Sequence, residues 1–397
     1  MLTRGLTVSF LLLAACGGQK SENGPDAGDA GVVNNTAPLL VDIGPPEADA
    51  YNTAYTTVTI CRPGTNVCQT IDHIQVDTGS SGLRIISTVL DPSLMLPQEM
   101  QGSSPVFECY QYVDSFNWGP VATADVQFAG ETAAALPIHI AGGTTTAAPS
   151  DCSSVGSEGD TVASLGANGI VGVDQETADC GSDCASTPPA SPDYYTCTGA
   201  TCTPAVVAIE DQVTNPVSRF AQDNNGVVLQ LPAIDPSGAV TVTGSLIFGI
   251  GTQSNNGLGE AQILTIDDVN GYFTTVFNGQ MLTSSYIDSG TDSYDFPDST
   301  ITQCTDDLEG FYCPASTLSL TATNVGMNQV SVMTTFSIAN TNTLFSSATD
   351  TAFNDLGTTA LMPGYFGWGL SFFFGRSVFT AITNANTPGG PGPYFAY

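Results

Sequence analysis

The chain has 397 residues, enough for one large or two medium domains with well-buried cores. Hydrophobic residues reach 42% and charged residues only 11%, which excludes a disordered or fibrous chain, and 42 Gly with 24 Pro point to a turn-rich all-β fold rather than a helical bundle. Six Lys plus Arg against 38 Asp plus Glu leave a formal net charge of −32, so polyphosphate partners would be repelled and nucleic-acid binding is excluded.

The chain opens with Arg4, an apolar run from Leu6 to Leu13, and Leu13-Ala14-Ala15-Cys16, which resembles the lipobox of bacterial lipoproteins. Residues 1–15 are therefore expected to be a signal peptide and Cys16 a lipidated amino terminus, with residues 16–36 a flexible tether rich in Gly, Asp, Asn and Pro. The apolar run is too short to span a bilayer, so membrane contact is expected through the lipid alone, in the bacterial cell envelope.

Short β-rich runs follow at residues 55–60, 70–76, 121–128, 227–231, 239–243 and 262–266, separated by turn signals. Helical periodicity is scarce: residues 212–222 could place Val213, Val217 and Phe220 on one face, and short helices are expected after Phe374-Gly375. Ten cysteines besides Cys16 suggest up to five disulfides in an oxidising compartment. Cys61 and Cys68 flank the turn Arg62-Pro63-Gly64-Thr65-Asn66, which suits a hairpin staple, and Cys304 and Cys313 can close a second local loop. Cys180, Cys184, Cys197 and Cys202 lie in a Pro-, Ser- and Thr-rich insertion at about 175–205, leaving Cys109 with Cys152 by subtraction. Spacing alone does not settle the connectivity.

One motif occurs twice. Ile74-Gln75-Val76-Asp77-Thr78-Gly79-Ser80 in the first half is echoed by Ser285-Tyr286-Ile287-Asp288-Ser289-Gly290-Thr291 in the second, each a strand running into Asp-[Thr/Ser]-Gly and a hydroxyl residue. A single such tripeptide is ordinary turn chemistry, but one behind a strand in each half is a pair. Other chemistries lack residues: Lys20 is the only lysine, and His73 and His139 are too few for a His-rich zinc site. His73, on the incoming strand, reads as structural. No metal and no organic cofactor is called for.

From about residue 47 to residue 397 the sequence resembles the pepsin-like aspartic proteases. The resemblance implies a bilobal all-β fold, with an N-terminal lobe at 37–250 carrying Asp77, a C-terminal lobe at 251–397 carrying Asp288, and a central cleft. Two carboxylates held roughly 3 Å apart cannot both ionise, so the pair would share a proton and activate a water against a peptide carbonyl. Thr78 and Ser289 would cross-link the loops, and Ser80 and Thr291 would donate to the outer carboxylate oxygens. Ile170-Val171-Gly172 and Phe373-Phe374-Gly375 would brace the two loops, each glycine allowing a close backbone crossing. Gly119 to Gly130 resembles the end of the family's flap hairpin, with Tyr112 the nearest flap tyrosine and Tyr110 the alternative; aromatic packing of a stapled hairpin accounts for either equally well. No Lys- and Arg-rich prosegment precedes the body, as the tether carries only Lys20.

The resemblance implies an aspartic endopeptidase acting as a monomer on a peptide or protein substrate in the cleft. The alternative is a catalytically silent pepsin-fold surface protein that binds or inhibits without turnover, which a missing flap tyrosine or an occluded cleft would favour. A two-carboxylate glycoside hydrolase would need wider spacing and aromatic sugar platforms.

Overall fold

The computed structural model describes residues 34–267, 269–360 and 362–397. The expected signal peptide, Cys16 and all but the end of the tether lie outside the described residues. Within them the fold is all-β, with helices of no more than four residues and none long and apolar enough to cross a membrane.

A seventeen-stranded network and a seven-stranded sheet hold almost all the strands. The first is built on alternating side chains: along the strands Ala54–Cys61 and Cys68–Asp77, Val58, Ile60, Ile71, Ile74 and Val76 turn into one core. Their hairpin is closed by the Cys61–Cys68 disulfide at directly paired positions. In the second sheet Phe273–Phe277, Gln280–Ile287 and Tyr365–Trp368 are neighbours, and Phe277, Phe296, Phe336, Phe366 and Trp368 fill its core. Phe366 stacks on Trp368 with ring centroids 4.5 Å apart and meets Phe277 edge-on.

The division expected at residues 250 and 251 does not coincide with a sheet boundary. Strands Arg376–Ala381 and Tyr394–Ala396 return to the larger network, where the first pairs with Gly226–Leu231 and the second bridges Arg376–Ala381 and Ile263–Thr265. The cause is apolar: Phe379, Ala381, Tyr394 and Ala396 bury themselves against Val228, Ile247 and Ile250.

Three local expectations are corrected. Residues 212–222 hold only a short 3-10 turn, Pro216–Arg219, because Asn215 precedes a proline and caps the Val217 amide; Val213, Val217 and Phe220 are buried all the same. The strand expected at 239–243 starts at Val242 and runs to Phe248, since the Asp235–Gly238 turn ends just before it. A strand, not a helix, follows Phe374-Gly375, and the helical turn Leu370–Phe373 precedes it.

The ten cysteines among the described residues are all paired: Cys61–Cys68, Cys109–Cys152, Cys180–Cys184, Cys197–Cys202 and Cys304–Cys313. The insertion is more than a cross-linked loop. Its strand Tyr194–Thr198 pairs with Ser104–Gln111, adding a third strand to the hairpin that Ser104–Gln111 forms with Ser115–Phe128.

Candidate active site

The strands Cys68–Asp77 and Gln280–Ile287 deliver their Asp-[Thr/Ser]-Gly loops to one point. A Cβ placed on Gly79 would lie 2.6 Å from the Asp288 carboxyl carbon, and one on Gly290 would lie 2.6 Å from Asp77 Oδ1, so only glycine admits the opposing carboxylate at either position. The two carboxyls lie close enough that the Asp77 charge acts directly on Asp288.

Their hydrogen bonds repeat across the pair. The Gly79 amide donates to Asp77 Oδ1 at 2.8 Å and the Gly290 amide to Asp288 Oδ1 at 2.7 Å. Ser80 Oγ donates to Asp77 Oδ2 at 2.5 Å, and Thr291 Oγ1 to Asp288 Oδ2 at 2.7 Å. Beneath them the loops grip each other: the Thr78 amide donates to Ser289 Oγ at 3.1 Å, and the Ser289 amide to Thr78 Oγ1 at 2.9 Å. Ser289 Oγ donates onward to the Val76 carbonyl at 2.7 Å. Both grip residues are buried, so exchange of these bonds for water is blocked.

Each loop rests on a parallel strand. Gly169–Val173 runs beside Cys68–Asp77 with Gly172 opposite Asp77, as expected for Ile170, Val171 and Gly172. Phe373, Phe374 and Gly375 do not play this part in the second half. There Tyr365–Trp368 runs beside Gln280–Ile287, the Asp288 amide donates to the Trp368 carbonyl, and Gly369 takes the bracing position. The equivalence is steric: a Cβ on Gly172 would sit 2.4 Å from the Ser80 carbonyl oxygen, and one on Gly369 2.5 Å from that of Thr291. Phe373 and Phe374 serve the core instead.

Electrostatics separate the groups. Burial, then the nearby Asp77 carboxylate, push Asp288 well above the usual carboxylate range, so it keeps its proton where an ordinary aspartate has lost it. Asp174, two residues past Gly172, is pushed up to about 7 by burial, against the donations of Ser81 Oγ and the Glu176 amide; the Asp77 charge also raises it. Burial likewise lifts Asp295 to about 6 and Asp292 to about 7.

A cavity of about 430 Å³ opens over Asp288, lined on one side by Thr78, Gly79 and Asp174 and on the other by Tyr286, Thr291 and Tyr365. The hairpin Ser104–Gln111 and Ser115–Phe128 places its exposed tip residue, Val113, in the cavity wall. Neither Tyr110 nor Tyr112 lines it. Their rings meet edge-on at 5.0 Å, Tyr112 Oη donates to Asn117 Oδ1 at 3.0 Å, and Tyr110 lies over the Arg84 guanidinium at 3.5 Å.

Arg84 is the main residue that sequence reasoning missed. Fully buried, it donates to Glu108 Oε1 at 2.7 Å, Asp179 Oδ2 at 2.8 Å and the Ser81 carbonyl at 2.6 Å. Burial alone would raise Glu108, but Arg84 and His139 hold it below the usual range, while burial and Glu108 push Asp179 above it. The signal was present: Arg84 is one of only six Lys and Arg residues in the chain and stands amid Leu83, Ile85 and Ile86. His73 is structural, 3.4 Å from Asp42 and edge-on to Tyr55. Among the described residues the metal-like grouping Cys180, Cys184 and Asp193 is disarmed by its disulfide.

A family model described as "Protein of unknown function (DUF3443)" matches residues 31–397. No curated protein matches the chain.

Proposed function

We propose that this chain, which belongs to the DUF3443 family, is an aspartic endopeptidase with a pepsin-like bilobal fold. The observation that carries the reading is the paired Asp77 and Asp288 loops, with matching hydrogen bonds on each side and the Asp288 carboxyl kept protonated by burial and by the facing Asp77. In this reading the ionised carboxylate takes a proton from a water lying between the two aspartates. That water attacks the peptide carbonyl, and the protonated carboxyl donates a hydrogen bond to the developing oxyanion. Proton transfer to the leaving nitrogen then regenerates the pair. Ser80, Thr291 and the Gly79 and Gly290 amides fix the carboxyl planes without adding a charge. We further infer that the chain is held in the bacterial cell envelope by a lipid on Cys16, and that it acts as a monomer.

The second reading, a silent binding protein, draws on one observation: the Tyr112 hydroxyl is committed to Asn117, and Val113 rather than a tyrosine edges the cavity. Digestion of an unfolded protein across the acid range separates the two. We expect cleavage that a transition-state-mimicking hydroxyl inhibitor abolishes, and that Asp77→Asn and Asp288→Asn each reduce by at least ~10³-fold, with the double variant scarcely worse. No cleavage by the parent at any acid pH, or full cleavage by both single variants, would leave the binding reading in its place.

A further inference from the structure

The cavity over Asp288 is short of cations. Among the described residues it is lined, besides Asp288, by Asp174, Glu176, Asp267 and Asp295, and by no Lys, Arg or His. Asp267 is supplied, accepting from the amides of Val269, Asn270 and Tyr272 at 3.1, 2.7 and 2.9 Å. Glu176 is exposed and accepts from the Thr383 hydroxyl. Asp295 is poorly supplied: among the described residues the Thr358 hydroxyl, at 3.4 Å, is its one side-chain donor, and the residue is partly buried, with its charge felt by Tyr286.

A second, independent observation points to a guest. Gln175 lines the same cavity at 8% exposure, and its Nε2 has no acceptor among the described residues. A buried amide donor left unpaired has lost its water and gained nothing in return. One wall thus lacks a carbonyl, while another lacks a positive charge. A peptide with a basic side chain supplies both groups.

We propose that the cavity selects peptides carrying a lysine or arginine side chain, whose cation pairs with Asp295 and lies against the Tyr286 ring while Gln175 Nε2 donates to a backbone carbonyl of the same peptide. Cleavage of such peptides at this site rests on the endopeptidase reading; their recognition does not.

The test measures binding without turnover. Full-length protein carrying Asp77→Asn is titrated near neutral pH with a fluorescent peptide bearing one central lysine and with its norleucine counterpart. The lysine peptide is expected to bind at least ~10-fold more tightly. Asp295→Asn should erase that difference, whereas Glu260→Gln, which removes an exposed carboxylate outside the cavity lining, should keep it and so discount general attraction to an acidic protein. Equal binding of the two peptides, no binding of either, or a lysine preference that survives Asp295→Asn overturns the proposal. A preference lost in Asp295→Asn, in a parent that cleaves nothing, upholds the proposal and sinks the endopeptidase reading; cleavage without the preference does the reverse.

Discussion

Asp174 tests the electrostatics of the site at the level of a single side chain. Its carboxyl keeps a proton up to about pH 7 in the folded protein, whereas an unfolded aspartate releases it near ~4. The folded state therefore binds the extra proton between those values, and the protein should lose stability from this group as pH climbs from ~4 to ~7. Asp174→Asn removes the titration but keeps an oxygen to accept from Ser81 and the Glu176 amide. Its melting temperature should match the parent at the acid end and exceed it near neutrality; a difference that is constant across the range would show that Asp174 does not titrate there. The pair Asp77 and Asp288 was legible at this scale because strand, aspartate, hydroxyl and glycine are contiguous in each copy. Arg84 was not, because its partners Glu108 and Asp179 are 24 and 95 positions away and only the fold brings them to it.

The bracing elements decide how firmly the loops are held. Gly369→Ala would drive a methyl group to within 2.2 Å of the Ser293 carbonyl oxygen and 2.5 Å of that of Thr291, both backbone atoms that cannot swing aside. It should cost about 3 kcal/mol or more in chemical denaturation and disturb the site. Gly375→Ala meets nothing closer than the Ala233 side chain at 3.3 Å and carries only the strain of a left-handed backbone, about 1 to 2 kcal/mol. Equal losses in the two variants would return Gly375 to the bracing role. Phe373-Phe374-Gly375 satisfies the hydrophobic-hydrophobic-Gly pattern as well as any neighbouring triplet does. What distinguishes Gly369 is the parallel register of Tyr365–Trp368 against Gln280–Ile287, a long-range choice that local spacing does not encode. The first brace was legible because Ile170, Val171 and Gly172 have no competing triplet beside them.

At the scale of the whole molecule, a net charge of −32 disfavours attraction to an anionic membrane surface, so the proposed envelope attachment rests on acylation of Cys16. Cys16→Ser should shift the protein from the membrane pellet to the soluble or unprocessed fraction on cell fractionation, and a correctly cleaved variant still in the pellet would contradict the anchor. The all-β class was readable from composition, since that depends on sums over the chain. The division at 250 and 251 was not, because strands from residues 376–396 cross back to pair with Gly226–Leu231.

That crossing-back has a temporal side. Phe395, on the strand Tyr394–Ala396, is part of the cavity wall, and its strand docks only between Ile263–Thr265 and Arg376–Ala381. The Thr78 and Ser289 grip likewise waits for segments 211 positions apart. Both contacts close very large loops, the slowest kind to form. In the reading of this chain as an exported endopeptidase, a chain still being threaded through a translocation channel would have no assembled site, and its latency would be a matter of synthesis order.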